Sequence, residues 1–221
     1  MKELLEQMRS QKVMSDLSGL LDSILPNPNL HARLVNTLAR MEYVGVRKML
    51  KARRSESLDL AGLHHVLEEA SHALRLKRAS VALAGDEEEV KTFSEDHTLA
   101  GELGEGYLQA VDQACEANLR DTEDPYKTEA NYLLSSALIE FRAEAFYPIY
   151  EDRLQAHGAP FSVAGIMRDE EKHLQAMVEG LETLLPDWEA RVTRILAKET
   201  EAFETWVAAI ASQIPQPTSV D

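Results

Sequence analysis

The 221-residue chain carries 38 Asp and Glu against 23 Lys and Arg, a formal charge of −15 with a sequence pI near 4.9. That balance disfavours polyanionic partners such as nucleic acid, and the 44% hydrophobic content with only 10 Gly and 8 Pro excludes a disordered or fibrous chain. A lone cysteine, Cys115, excludes an internal disulfide and any two- or four-cysteine metal centre, and predicts a reducing, cytoplasmic setting.

No apolar run approaches the roughly 20 residues that span a bilayer, and the opening MKELLEQMRSQK lacks the apolar stretch of a signal peptide. Apolar residues recur at three- and four-residue spacing throughout, and no segment alternates over strand length, so the fold class is all-α. The first helix is expected over 2–24, stopped by Pro26 and Pro28, because proline has no amide donor and restricts the residue before it. The second, 29–54, places Leu34, Leu38, Met41, Gly45 and Met49 on one stripe. Its basic residues Arg40, Arg47, Lys48, Lys51, Arg53 and Arg54 are read as a solvated helix end, and Ser55 or Ser57 as the cap of the third helix, 57–83. Asp86–Glu89 reads as acidic charge at a helix N-terminus. Residues 87–119 are expected to form a helical crossover, bent or weakened at Gly101, Gly104 and Gly106.

After DTEDPY, a long helix over 126–157 is bent or rewound at Pro148, a further helix occupies 160–184, and a last one runs to about Ile210. The expected architecture is one domain, 1–213, in which two helical hairpins form a four-helix bundle joined by one long crossover, with extra N- and C-terminal helices. Residues 214–221 are expected to fray.

The two hairpins repeat one pattern. In the first, Glu42 on an apolar stripe is followed by Glu69-Ala-Ser-His72; in the second, Glu140 or Glu144 is followed by Glu170-Glu-Lys-His173. Glu and His at i and i+3 project from one side of a helix, so a carboxylate and an imidazole converge on one point where a metal ion can sit. Two such helices, with one further Glu from each of the other two, supply six ligands for two ions.

The sixth ligand has two candidates. Glu140 sits in ALIEF, which parallels ARMEY around Glu42. Height along the hairpin favours Glu144 instead: Glu42 and Glu69 are equidistant from the RRSES connection, as Glu144 and Glu170 are from Gly158, whereas Glu140 falls about 6 Å further away. Glu68 with His72 and Asp169 with His173 stand at i, i+4, a second spacing that can chelate. His64 and His65, one turn before Glu68 and Glu69, read as surface residues, with a donor behind the ligands or a partner to Glu as the alternative, and His31, His97 and His157 read as solvated. Tyr43, Phe141, Phe146 and Tyr147 flank the carboxylates, where core packing is the simplest reading and a substrate pocket the alternative.

Over about residues 29–83 and 126–184 these motifs resemble the ferritin-like di-iron carboxylate superfamily, including its rubrerythrin and transfer-RNA hydroxylase branches. The resemblance implies two iron ions, with manganese as the alternative, held by Glu42, Glu69, His72, Glu170, His173 and either Glu144 or Glu140. It also implies reaction with dioxygen or peroxide, an unknown electron donor and an unknown small-molecule substrate. The acidic charge disfavours a transfer-RNA substrate, and the single cysteine leaves no Cys-rich electron-transfer module in this sequence. The extra helices favour a monomer or dimer over a cage. The expected activity is that of an oxidase or oxygenase; the alternatives are non-catalytic iron or manganese binding, as in storage or a ferroxidase-type bundle, and a metal-free scaffold.

Overall fold

A computed structural model describes residues 2–52 and 58–215, which contain α-helices, short 3₁₀ turns and no strand. The eight helices are α1 (Lys2–Arg9), α2 (Lys12–Ile24), α3 (Pro28–Ala52), α4 (Leu60–Ala84), α5 (Gly101–Asn118), α6 (Asp124–Ala156), α7 (Ala164–Leu184) and α8 (Trp188–Ser212). No helix among the described residues is long and apolar enough to cross a membrane.

Local chemistry sets the ends. Asn27 Oδ1 accepts from the amides of Asn29 and Leu30 at 3.1 and 3.2 Å, while Pro28, with no amide to satisfy, opens α3. Asp59 caps α4 through the Gly62 amide at 2.8 Å, and Gly85, at φ 73°, closes it in the left-handed conformation that glycine adopts without strain. The predicted caps Ser55 and Ser57 lie outside the described residues, as do Arg53, Arg54 and the tail from 216.

Two antiparallel hairpins carry the core. In α3–α4, Asn36 meets Lys77 while Gly45 faces Glu69. In α6–α7, Glu151 accepts from the Val163 amide at 2.8 Å while Gly180 packs on Leu133. The α5 and α8 helices pack together across the bundle, where Tyr107, Phe203 and Trp206 stack. One apolar core takes side chains from all eight helices.

Several expectations change. The first predicted helix is two, broken at Ser10–Gln11. The crossover is helical only from Gly101; before it come 3₁₀ turns at Glu87–Val90 and Glu95–His97, the first capped by Asp86. Side chains of α3 pin this connection: Asn36 donates to the carbonyls of Thr92 and His97, and Arg33 to those of Thr98 and Glu95. The glycine cluster does not interrupt α5; Gly104 instead admits Trp206 and Met41 so closely that a Cβ would meet them at 3.1 and 3.2 Å. The basic stretch of α3 answers acids of the crossover, with Arg40 on Glu95 and Glu105 and Lys48 on Asp112.

Helix α6 continues through Pro148. Proline removes the hydrogen bond to the carbonyl four residues earlier, that of Glu144, and Arg9 of α1 donates to this carbonyl at 3.0 Å in its place.

His31, expected to be solvated, is 2% exposed, with a ring nitrogen 2.8 Å from the Tyr150 hydroxyl and Phe161 beside it. Apolar surroundings disfavour the imidazolium, and with the charge of His157 they push its pKa down to about 4. Because the folded value lies below the unfolded one of about 6.5, the neutral ring stabilises the fold fully above pH 6.5, and this stabilisation is lost as pH falls toward 4. Linkage puts the loss at no more than about 3 kcal/mol. Melting at pH 7 and pH 4.5 should therefore show a larger drop for the native chain than for His31→Phe; equal drops would refute the assignment.

Candidate metal centre

Glu42 of α3, Glu69 and His72 of α4 and Glu170 of α7 present ligand atoms that all lie within 4.8 Å of one another. A second group, His65 and Glu69 of α4, Glu140 of α6 and His173 of α7, meets the same condition. Donors about 2.1 Å from one ion stand up to about 4.2 Å apart, so each group is close to the size of one coordination sphere.

Glu69 belongs to both groups. Glu170 reaches both histidines, with Oε1 3.0 Å from His72 Nδ1 and Oε2 3.1 Å from His173 Nδ1. The centre is largely buried: Glu69, His72, Glu140, Glu170 and His173 are all buried, and Glu42 and His65 keep partial access. The Tyr147 hydroxyl donates to Glu42 Oε1 at 2.6 Å.

The far nitrogens of the histidines are held crosswise. His173 Nε2 lies 3.0 Å from Glu68 of α4, and His72 Nε2 lies 3.3 Å from Asp169 of α7. The i, i+4 pairings available within each helix are therefore not made; each acid orients the imidazole of the facing helix, leaving Nδ1 to point inward.

Four carboxylates in so small a space cannot all stay ionised without cations. Burial, followed by the charges of Glu170 and Glu69, pushes both Glu42 and Glu140 well above the usual carboxylate range. Burial also works against ionised Glu69, but hydrogen bonds from His173 and His65 prevail and hold it low. Glu170 is likewise held low, by His173, His72 and Glu140, against burial and the charge of Glu69. Burial opposes the His173 imidazolium, yet its bonds to Glu170, Glu69 and Glu68 raise it to about 10; His72 is raised against burial by Glu170. The raised carboxyls and the raised His173 imidazole offset the negative charge of the cluster, as divalent ions would.

The donor set fits a divalent metal on another count. His72 Nδ1 is buried and makes no hydrogen bond of acceptable geometry, although Glu170 Oε1 is 3.0 Å away. An imidazole nitrogen placed among three carboxylates but aligned on none of them suits a ligand-to-metal bond better than a hydrogen bond.

Of the residues named from sequence, Glu42, Glu69, His72, Glu140, Glu170 and His173 come together, and Glu144 does not: its carboxylate is 3.8 Å from Arg9. Counting from the turn fixes height but not face. Residue 144 lies about 40° round the helix from residue 140, on the side covered by α1, where Arg9 already binds the carbonyl released by Pro148. His65, read first as a surface residue, is mostly buried, 3.2 Å from Glu69 with its ring centroid 3.9 Å from that of His173. Its signal was present as the i, i+4, i+7 series His65, Glu69, His72 on one helix face. His97 is half-buried and His157 exposed. Phe146 and Tyr147 line a cavity beside the carboxylates, whereas Phe141 stacks on Trp188 and Tyr43 is exposed against Phe93.

Comparison of this chain with protein-family models, with curated proteins and with solved structures gives no match.

Glu140→Ala should reduce the number of tightly bound divalent ions or weaken their binding at least tenfold, the scale expected for loss of a ligand. Glu144→Ala should leave both unchanged. Elemental analysis after dialysis separates the two, and equal losses would return Glu144 to the ligand set.

Proposed function

We propose that this chain is a ferritin-like four-helix protein that holds two metal ions, iron by preference, and uses them with dioxygen or peroxide to oxidise a small molecule. The observation that carries the reading is the double reach of Glu69 and Glu170, which each touch both halves of the cluster. Glu69 and Glu170 would each serve both halves, so a pair of ions would be the simplest occupant of such a pattern. Carboxylate and imidazole donors without thiolate suit iron(II), and manganese(II) after it.

When bound, a pair of such ions supplies two-electron redox chemistry toward dioxygen or peroxide. The chain's own residues do the rest. Glu68 and Asp169 hold the two imidazoles in orientation, and burial excludes water. The Tyr147 hydroxyl fixes Glu42, the one carboxylate with partial access, and holds a proton at Oε1. In this reading Glu42 is the ligand freest to shift.

Anaerobic titration with iron(II) should saturate at two ions per chain, and subsequent dioxygen should be consumed with a spectral change that recurs on re-reduction. Saturation followed by a single uptake without recurrence would favour storage, and no binding at all would leave a scaffold. Loading near pH 7 should release protons, from the raised carboxyls of Glu42 and Glu140 and from the His173 imidazolium. A pH-stat measures this directly, and the absence of any release would contradict the charge exchange.

A further inference from the structure

Beside the carboxylates lies a cavity of about 130 Å³ whose wall is largely apolar, with Leu38, Met41, Met49, Ile139 and Phe146 among its lining residues. Glu42, Glu69, Glu140 and Glu170 close one end of it. Gly45 makes the junction: a Cβ there would come to 3.9 Å from Glu69 Oε2, so the missing side chain keeps the path to that carboxylate open.

The two cations in the wall are already matched. Lys48 pairs with Asp112 at 2.7 Å and donates to Ser135. Arg142 is bound by both oxygens of Glu199, at 2.8 and 2.6 Å, and stacks over Phe203. An anionic ligand would meet no uncompensated positive charge in this wall and four acidic residues at one end, whereas a cation would have to leave water for a mainly apolar chamber.

We propose that the cavity binds a neutral, compact, apolar molecule of about six to eight non-hydrogen atoms, a single ring or a short branched chain, and presents it to the Glu69 side of the centre. The size follows from volume, since an apolar cavity of about 150 Å³ holds benzene. The role of this occupant as substrate rests on the oxidative reading above; its binding does not.

Toluene and benzoate are titrated into the unaltered 221-residue, metal-free chain and followed by calorimetry and by ligand-observed NMR. Toluene should saturate one site with a Kd of roughly 0.1–1 mM, within the affinity limit for so few atoms, and benzoate should bind at least tenfold more weakly. Met49→Trp and Ala143→Leu, which fill the chamber from α3 and from α6, should each weaken toluene at least tenfold while divalent-metal stoichiometry stays at the native value. Absence of saturable toluene binding, equal binding of benzoate, or native affinity in both folded variants overturns the proposal. The toluene–benzoate comparison uses the unaltered chain and decides the matter even where a filled variant misfolds. Toluene binding in a chain that takes up no metal would defeat the oxidative reading alone, and metal uptake without toluene binding would defeat the cavity assignment alone.

Discussion

The arrangement turns on one electrostatic constraint: four carboxylic acids from four helices are brought to one mostly buried spot, where each ionised group costs on the order of several kcal/mol unless opposed. The chain meets the constraint within itself by raising two of the acids and by raising both imidazoles, His173 to about 10. Every neighbouring device serves that balance. Glu68 and Asp169 turn the histidines inward, Tyr147 holds Glu42, and the Asn36, Arg33 and Arg40 clamps fasten the crossover along α3. A chain selected for stability alone would place apolar residues at these six positions, because a well-packed core commonly matches or exceeds a buried charge network in stability. Retaining charge there points to a ligand that needs it.

Much of this was legible from sequence because its carriers are periodic. Helix identity follows from apolar spacing, and the paired Glu-x-x-His segments follow from the 3.6-residue turn, which needs no tertiary information to put a carboxylate and an imidazole on one face. The choice between Glu140 and Glu144 depended on something a local count cannot see. A separate helix, α1, approaches α6 at the carbonyl freed by Pro148, and Arg9 occupies the face to which Glu144 points. The ALIEF–ARMEY likeness indicated Glu140, the residue that stands with Glu69 and His173.

His31 was missed, and His65 was placed at the surface ahead of its role as a partner to Glu, for related reasons. Polarity alone sends histidine to the surface, but a neutral ring with one hydrogen-bond partner is easily buried, as Tyr150 allows for His31. His65 precedes Glu69 by one turn and stands opposite His173 of another hairpin, so its partner lies more than a hundred residues away in the chain.

The helices outside the two hairpins have a purpose that composition would not suggest. Arg142 of α6 points away from the carboxylates into Glu199 of α8, while Tyr107 of α5 donates to the same Glu199 and Gln11, just before α2, accepts from the guanidinium. A cation left unpaired in the cavity wall would attract the acidic cluster and any anion that entered; bound bidentately by Glu199, it cannot. The α5–α8 pair thus does more than cover one side of the bundle. It neutralises the charge in the wall shared with the carboxylates, so that the acid chemistry stays at one end of the chamber and the remainder stays apolar.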